Sequence, residues 1–155
     1  MARKYWLTVH WPPHHGENDS NPYVWLQEGK ERTVAGMSKG DYVAVYEYAT
    51  GPSELVDGVW RHRRRGAQAI IYYGRVTEIF PHVGEQRIFW RYGGEYPMTW
   101  ICYAELKIIG RGGVGRVEVN RILGHGDDSL LRGFGPDNSG LMQVSREQFD
   151  LLTGR

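Results

Sequence analysis

The sequence predicts an α+β fold, a small mixed β-barrel of five to six strands with two to three short helices, one of them C-terminal. Three observations lead there. Twenty-one glycines, six tryptophans and ten tyrosines in 155 residues favour many turns joining short, half-buried strands. Tyr42-Val43-Ala44-Val45-Tyr46 and the stretch 70–79 are apolar on both alternating faces, as strands buried on both sides are. Ser145-Arg146-Glu147-Gln148 is a capping box that opens a terminal helix over 146–152, with Phe149 and Leu152 facing the core. The length fits a single domain spanning residues 1–155.

Taken in order, residues 5–10 form a first strand, ended by Trp11-Pro12-Pro13 because proline cannot continue a ladder. Residues 14–21 read as polar loop. Residues 22–30 read as a short helix with Asn21 as N-cap and Pro22 at its first position. Lys39-Gly40-Asp41 is a turn into the central strand, which ends near Tyr48. Residues 49–68 form a long irregular connection before the strand 70–79, which Pro81 breaks. Residues 86–92 are a further strand, followed by a Gly93-Gly94 turn. Over 99–109, Trp100, Cys102, Ala104, Leu106 and Ile108 share one face. Short helical stretches are expected at 117–123 and 127–132, and a last strand at 141–144.

Composition removes several function classes. A net charge of +1 is not that of a globally basic nucleic-acid coat, so anion binding must come from local clusters. The single cysteine, Cys102, makes no internal disulfide and reads as a small buried hydrophobe in a reducing compartment. No apolar run approaches the ~20 residues needed to cross a bilayer, and the N-terminus lacks a signal h-region. A cytoplasmic protein without membrane partners is expected.

Chemistry-bearing motifs are weak. Gly110-Arg111-Gly112-Gly113-Val114-Gly115 spells G-x-G-x-x-G, but the following Arg-Val-Glu-Val reads as strand and too little chain remains for a βαβ unit. His10, His14 and His15 match no zinc spacing, so no metal is expected and the last two read as solvated loop. No G-x-S-x-G elbow or other reaction centre is legible, and no cofactor is called for.

Certain fragments carry a resemblance when read together. They are Tyr5-Trp6-Leu7, Gly36-Met37-Ser38-Lys39-Gly40-Asp41 feeding the strand 42–46, Thr50-Gly51, Tyr73-Gly74-Arg75-Val76, and Gly140-Leu141-Met142-Gln143-Val144-Ser145. In that order they resemble the EVE domain of the PUA-like superfamily, whose relatives include YTH and ASCH domains. Residues 52–68 and 110–126 fit the pattern poorly. The resemblance implies a PUA-like barrel and a non-enzymatic reader of a modified base, here a modified cytosine in DNA. The base would be flipped into an aromatic pocket between the first and central strands, and a separately encoded nuclease would be the partner. On that pattern Trp11, Trp25, Tyr46 and Tyr48 supply stacking faces, each worth ~1–3 kcal/mol, while His10 and Thr50 read the base edge. Arg61, Arg63, Arg64 and Arg65 would hold phosphates, with Trp60 beside them as a wedge or stacking residue. Two alternatives stay open. One is an ASCH-like amidohydrolase acting on acylated nucleosides through Lys39, Thr8 and Glu47; the other is an RNA-binding accessory domain.

Overall fold

The computed structural model describes residues 2–17, 22–29, 35–80, 84–124 and 140–154. Nine strands and two helices follow in the order β1 (Tyr5–His10), β2 (Tyr23–Gln27), β3 (Tyr42–Glu47), β4 (Glu54–Val56), β5 (Val59–Arg61), β6 (Ala69–Ile79), β7 (Gly84–Arg91), β8 (Gly94–Arg111), α1 (Arg116–Ile122), β9 (Leu141–Val144) and α2 (Arg146–Thr153). The fold is a mixed α+β arrangement on one large, mostly antiparallel sheet, with more strands than the sequence suggested. Its parallel ladder joins β1 to β3, from Tyr5↔Tyr42 to His10↔Glu47.

A long bent hairpin organises the sheet. β6 pairs with β8 over Ile79↔Ala104 to Tyr72↔Arg111, and β7 pairs with it over Arg91↔Gly94 to Gly84↔Ile101. β2 pairs with Ile101, Ala104 and Glu105 as well. Because a residue has only two ladder edges, β2 lies on one edge of β8 and both β6 and β7 lie on the other. β6 and β7 therefore act as one interrupted strand, folded back at Tyr92-Gly93, where both φ angles are positive as in the tightest hairpin turns. The near half of this hairpin carries β3, β1 and β9 in turn, and the far half carries β4 and β5.

The near half curls around a core containing Trp6, Val24, Leu26, Val43, Val45, Tyr72, Val76, Ala104 and Leu106. Among the described residues no ladder joins β9 to β2, so the curl is not closed by hydrogen bonds. A second core, with Leu7, Ala44, Tyr46, Ile70, Val119, Phe149 and Leu152, lies between the other sheet face and the two helices. Asp41, buried at the entry to β3, ties the layers together. Its carboxylate accepts from Lys4 N (3.0 Å), Trp6 Nε1 (3.1 Å) and Ser38 N (2.9 Å).

Several expectations are corrected. Residues 23–27 are a strand: Tyr, Val and Trp pack across β8, and that tertiary pairing outweighs the Asn-Pro helix-start signal. The connection 49–68 contains the β4–β5 hairpin, turned by Asp57-Gly58 at φ 51° and 77°. The helix α1 that follows the glycine-rich stretch matches the helical expectation at 117–123 and corrects the strand-like reading of Arg116-Val117-Glu118-Val119. The glycine-rich stretch is packing rather than phosphate cradle: Val114 N donates to Leu152 O, Val114 O accepts from Ile70 N, and a side chain on Gly113 (φ 159°) would meet Ile70. The capping box is present in full, with Gln148 N donating to Ser145 Oγ (3.0 Å) and Ser145 N to Gln148 Oε1 (2.9 Å). The helix expected at 127–132 lies outside the described residues. Among the described residues no helix is long and apolar enough to cross a membrane.

Candidate functional site

Because β1 and β3 are parallel, their C-terminal ends meet at the same end of the sheet, where His10 stands opposite Glu47. Strand alternation turns both side chains to the face that carries Trp6, Val43 and Val45, away from the helices. The Glu47 side chain is 2% exposed; its Oε1 accepts from Ala67 N (2.9 Å) and lies 3.6 Å from Arg64 Nη1. Gly66 makes that approach possible, since a Cβ there would collide with the Tyr48 carbonyl. The His10 Nε2 atom is buried and, among the described residues, has no hydrogen-bond partner. Burial drives the His10 pKa down to about 4, against a smaller opposing effect of a hydrogen bond with the Tyr23 backbone. The ring is therefore neutral near pH 7. Its backbone bond favours a donating nitrogen, which leaves Nε2 as a bare acceptor.

Directly after His10, the Trp11 ring enters an aromatic nest. Phe89 and Trp100 meet it edge-on at centroid distances of 5.2 and 5.3 Å. Arg63 and Arg91 lie over it at 5.4 and 5.1 Å. Gly51 lies against it so closely that a Cβ would touch the indole at 2.7 Å. Trp100 Nε1, like His10 Nε2, is buried and without a hydrogen-bond partner among the described residues. Trp100 thus packs edge-on against the indole that directly follows His10 in the chain. Each unmet buried polar atom costs about 1–3 kcal/mol, so these two, like His14 Nε2, are atoms that a ligand group or an ordered water would satisfy.

The other expected residues are distributed unevenly. Trp25 is half-buried on β2, with the Arg87 guanidinium 4.6 Å above its ring and Tyr23 edge-on at 6.2 Å. Tyr46 is 1% exposed in the helix-side core, and Tyr48 packs on it at 5.9 Å. Both point away from the His10–Glu47 face, so neither offers a free stacking surface there. This corrects the pocket expected from sequence: alternation along β3 puts Tyr46 and Glu47 on opposite sides. Burial raises both phenols, that of Tyr48 to about 12. Thr50 is exposed beside Gly51.

The arginine run is also less uniform than expected. Arg63 is a structural group, with its side chain 10% exposed. It donates to Pro52 O (3.1 Å), Pro12 O (3.3 Å) and Glu54 Oε1 (3.2 Å). Arg64 reaches back to Glu47, and Arg61 lies 3.7 Å from Glu17. Arg65 is exposed, and among the described residues it has no ion pair. Trp60 meets Trp90 edge-on at 5.5 Å. His14, expected in a solvated loop, is buried and bridges to Arg63, 3.9 Å from Glu54.

The alternative trio is not assembled. Lys39 sits at the opposite end of β3 from Glu47 and pairs with Glu78 at 3.3 Å, while Thr8 Oγ1 donates to Gly140 O at 2.7 Å.

Sequence reasoning missed Trp100 and Phe89 as site residues. Trp100 was assigned to the face of Ala104 by simple alternation. A bulge in β8 inverts that parity, since Val24 pairs with Ala104 but Leu26 pairs with Ile101. The chain matches no protein-family model and no curated protein.

Proposed function

We propose that this chain is a non-enzymatic, EVE-like module that binds nucleic acid and holds a modified base, a modified cytosine in DNA, at the end of β1 and β3. The observation that carries the reading is that His10 Nε2 and Trp100 Nε1 are buried and, among the described residues, without a hydrogen-bond partner, His10 preceding Trp11 in the chain and Trp100 packing against its ring. Cytosine offers complementary groups: its exocyclic N4 amine donates, as His10 Nε2 requires, and its ring carbonyl accepts, as Trp100 Nε1 requires. An enclosed site rejects bases lacking such groups, because the site's own polar atoms would stay unpaired. Arg65 and Arg61 at the neighbouring rim suit phosphate contacts, which anchor without reading sequence. Directing a separately encoded nuclease to marked DNA is the use this reading implies.

The test uses His10→Leu, which removes the bare acceptor. A fold that merely tolerates an unmet polar atom should be as stable or more stable without it. Anisotropy titrations with matched oligonucleotides, plain or carrying a modified cytosine, should show preference for the modified one in the parent chain. His10→Leu should lose that preference at an unchanged or higher Tm. A parent chain that binds both oligonucleotides alike, or a variant that keeps the preference, would overturn the reading.

A further inference from the structure

The outer surface of β6 and β8 carries a groove of about 510 Å³ lined by Lys39, Arg75, Val76, Thr77, Lys107 and Ile109. We propose that this groove is a second track for nucleic-acid phosphates, separate from the His10–Glu47 end. The proposal rests on the nucleic-acid part of the function above and not on base reading.

Arg75 and Lys107 stand directly opposite each other in the β6–β8 ladder. Both are exposed, and among the described residues neither side chain makes a hydrogen bond or ion pair. Like charges facing across a ladder destabilise a sheet, and an anion between them reverses that penalty. A third cation, Lys39, is brought to the rim by the 38–41 turn. Gly40 takes φ +93° there, its N–H donates to Val76 O (2.8 Å), and Val76 N donates to Asp41 O (2.8 Å). Arg3 adds positive charge nearby, lying over the ring of Tyr42, the ladder partner of Arg75.

The acidic neighbours are Glu78, paired with Lys39, and Glu105, opposite Glu78; neither lines the groove. Ile109 is the extra residue of a bulge, since Gly110 pairs with Tyr73 and Ile108 with Gly74, and it is 44% exposed. The groove therefore sets the exposed aliphatic side chain of Ile109 beside its cations, a combination that suits phosphates and sugars. Arg75 shares a sheet face with its ladder partner Tyr42, which packs on the helix-side core, so the groove and the His10–Glu47 end lie on opposite faces of the sheet.

The test titrates the full chain with an unmodified, fluorescein-labelled single strand of about 20 nucleotides over a range of salt concentrations. Arg75→Ala with Lys107→Ala should reduce the slope of log affinity against log salt by about 1.4, two contacts at ~0.7 each. Lys107→Glu should weaken binding at least as much while its Tm holds or rises, because it creates a cross-strand ion pair with Arg75. An unchanged slope in the folded double variant would overturn the proposal. So would displacement of the probe by polyglutamate at equal charge, which would assign the groove to acidic chains in general. If modified and plain oligonucleotides bind alike while the slope still falls, base reading fails and the groove stands.

Discussion

His10 is held neutral by enclosure, and that makes its contribution to stability pH-dependent. Its folded pKa of about 4 lies below the ordinary 6.5. Between those values the unfolded chain takes up a proton that the folded chain refuses. Stability from this ring is therefore complete above the unfolded pKa and is lost as pH falls toward 4, by up to about 3 kcal/mol. Urea unfolding should show the parent losing more stability than His10→Gln between about pH 7 and pH 4.5; equal losses would mean the ring is not enclosed. Arg63 makes the opposite case among the arginines. It crosses from the β5 side to the backbone of Pro12 and Pro52, neutralises Glu54 and covers Trp11. Arg63→Ala leaves a buried carboxylate unpaired and should cost about 3–5 kcal/mol. Arg65→Ala should leave the melting curve alone and reduce only the salt dependence of DNA binding. A harmless Arg63→Ala would return that residue to the phosphate-binding set.

At the scale of elements, what was legible in the sequence was what is determined locally. The capping box needs only Ser145 and Gln148, and its hydrogen bonds close within four residues. The turn at Lys39-Gly40-Asp41 was legible for the same reason, and Asp41 does accept from the nearby Ser38 N–H. Elements decided by distant partners were not. Tyr23 to Gln27 becomes a strand because the edge of β8 offers a ladder, and its Tyr, Val and Trp favour a strand only weakly against the Asn-Pro helix start before it. The Asp57-Gly58 hairpin carried a recognisable turn signal, but its flanking strands have only three residues each, too short for an alternation pattern to show. The candidate site suffered most, because it depends on parity. One bulge in β8 moves Trp100 off the face of Ala104, and the helix layer claims Tyr46 and Tyr48. Trp11 could be singled out in the sequence because it sits where a strand meets a Pro-Pro corner, whereas His10 was named only through the resemblance.

Across the whole molecule, the continuity of β6 and β7 against β8 has a kinetic consequence. Contacts within 69–111 are ladder contacts that zip outward from Tyr92-Gly93, so each closes only a little more loop than the one before. The ladder between β1 and β9 joins Tyr5 to Val144, nearly the full length of the chain. Loop-closure entropy should therefore place the hairpin in the folding nucleus and the β1–β9 seam after the rate-limiting barrier. In a chevron analysis, Ile101→Val on β8 should slow folding, whereas Val144→Ala on β9 should mainly speed unfolding. The reverse assignment would show that the termini meet early. On this geometry a chain emerging from the ribosome holds its middle zipped while the far edge of β1 waits unpaired for residues 141–144, which are made well after it.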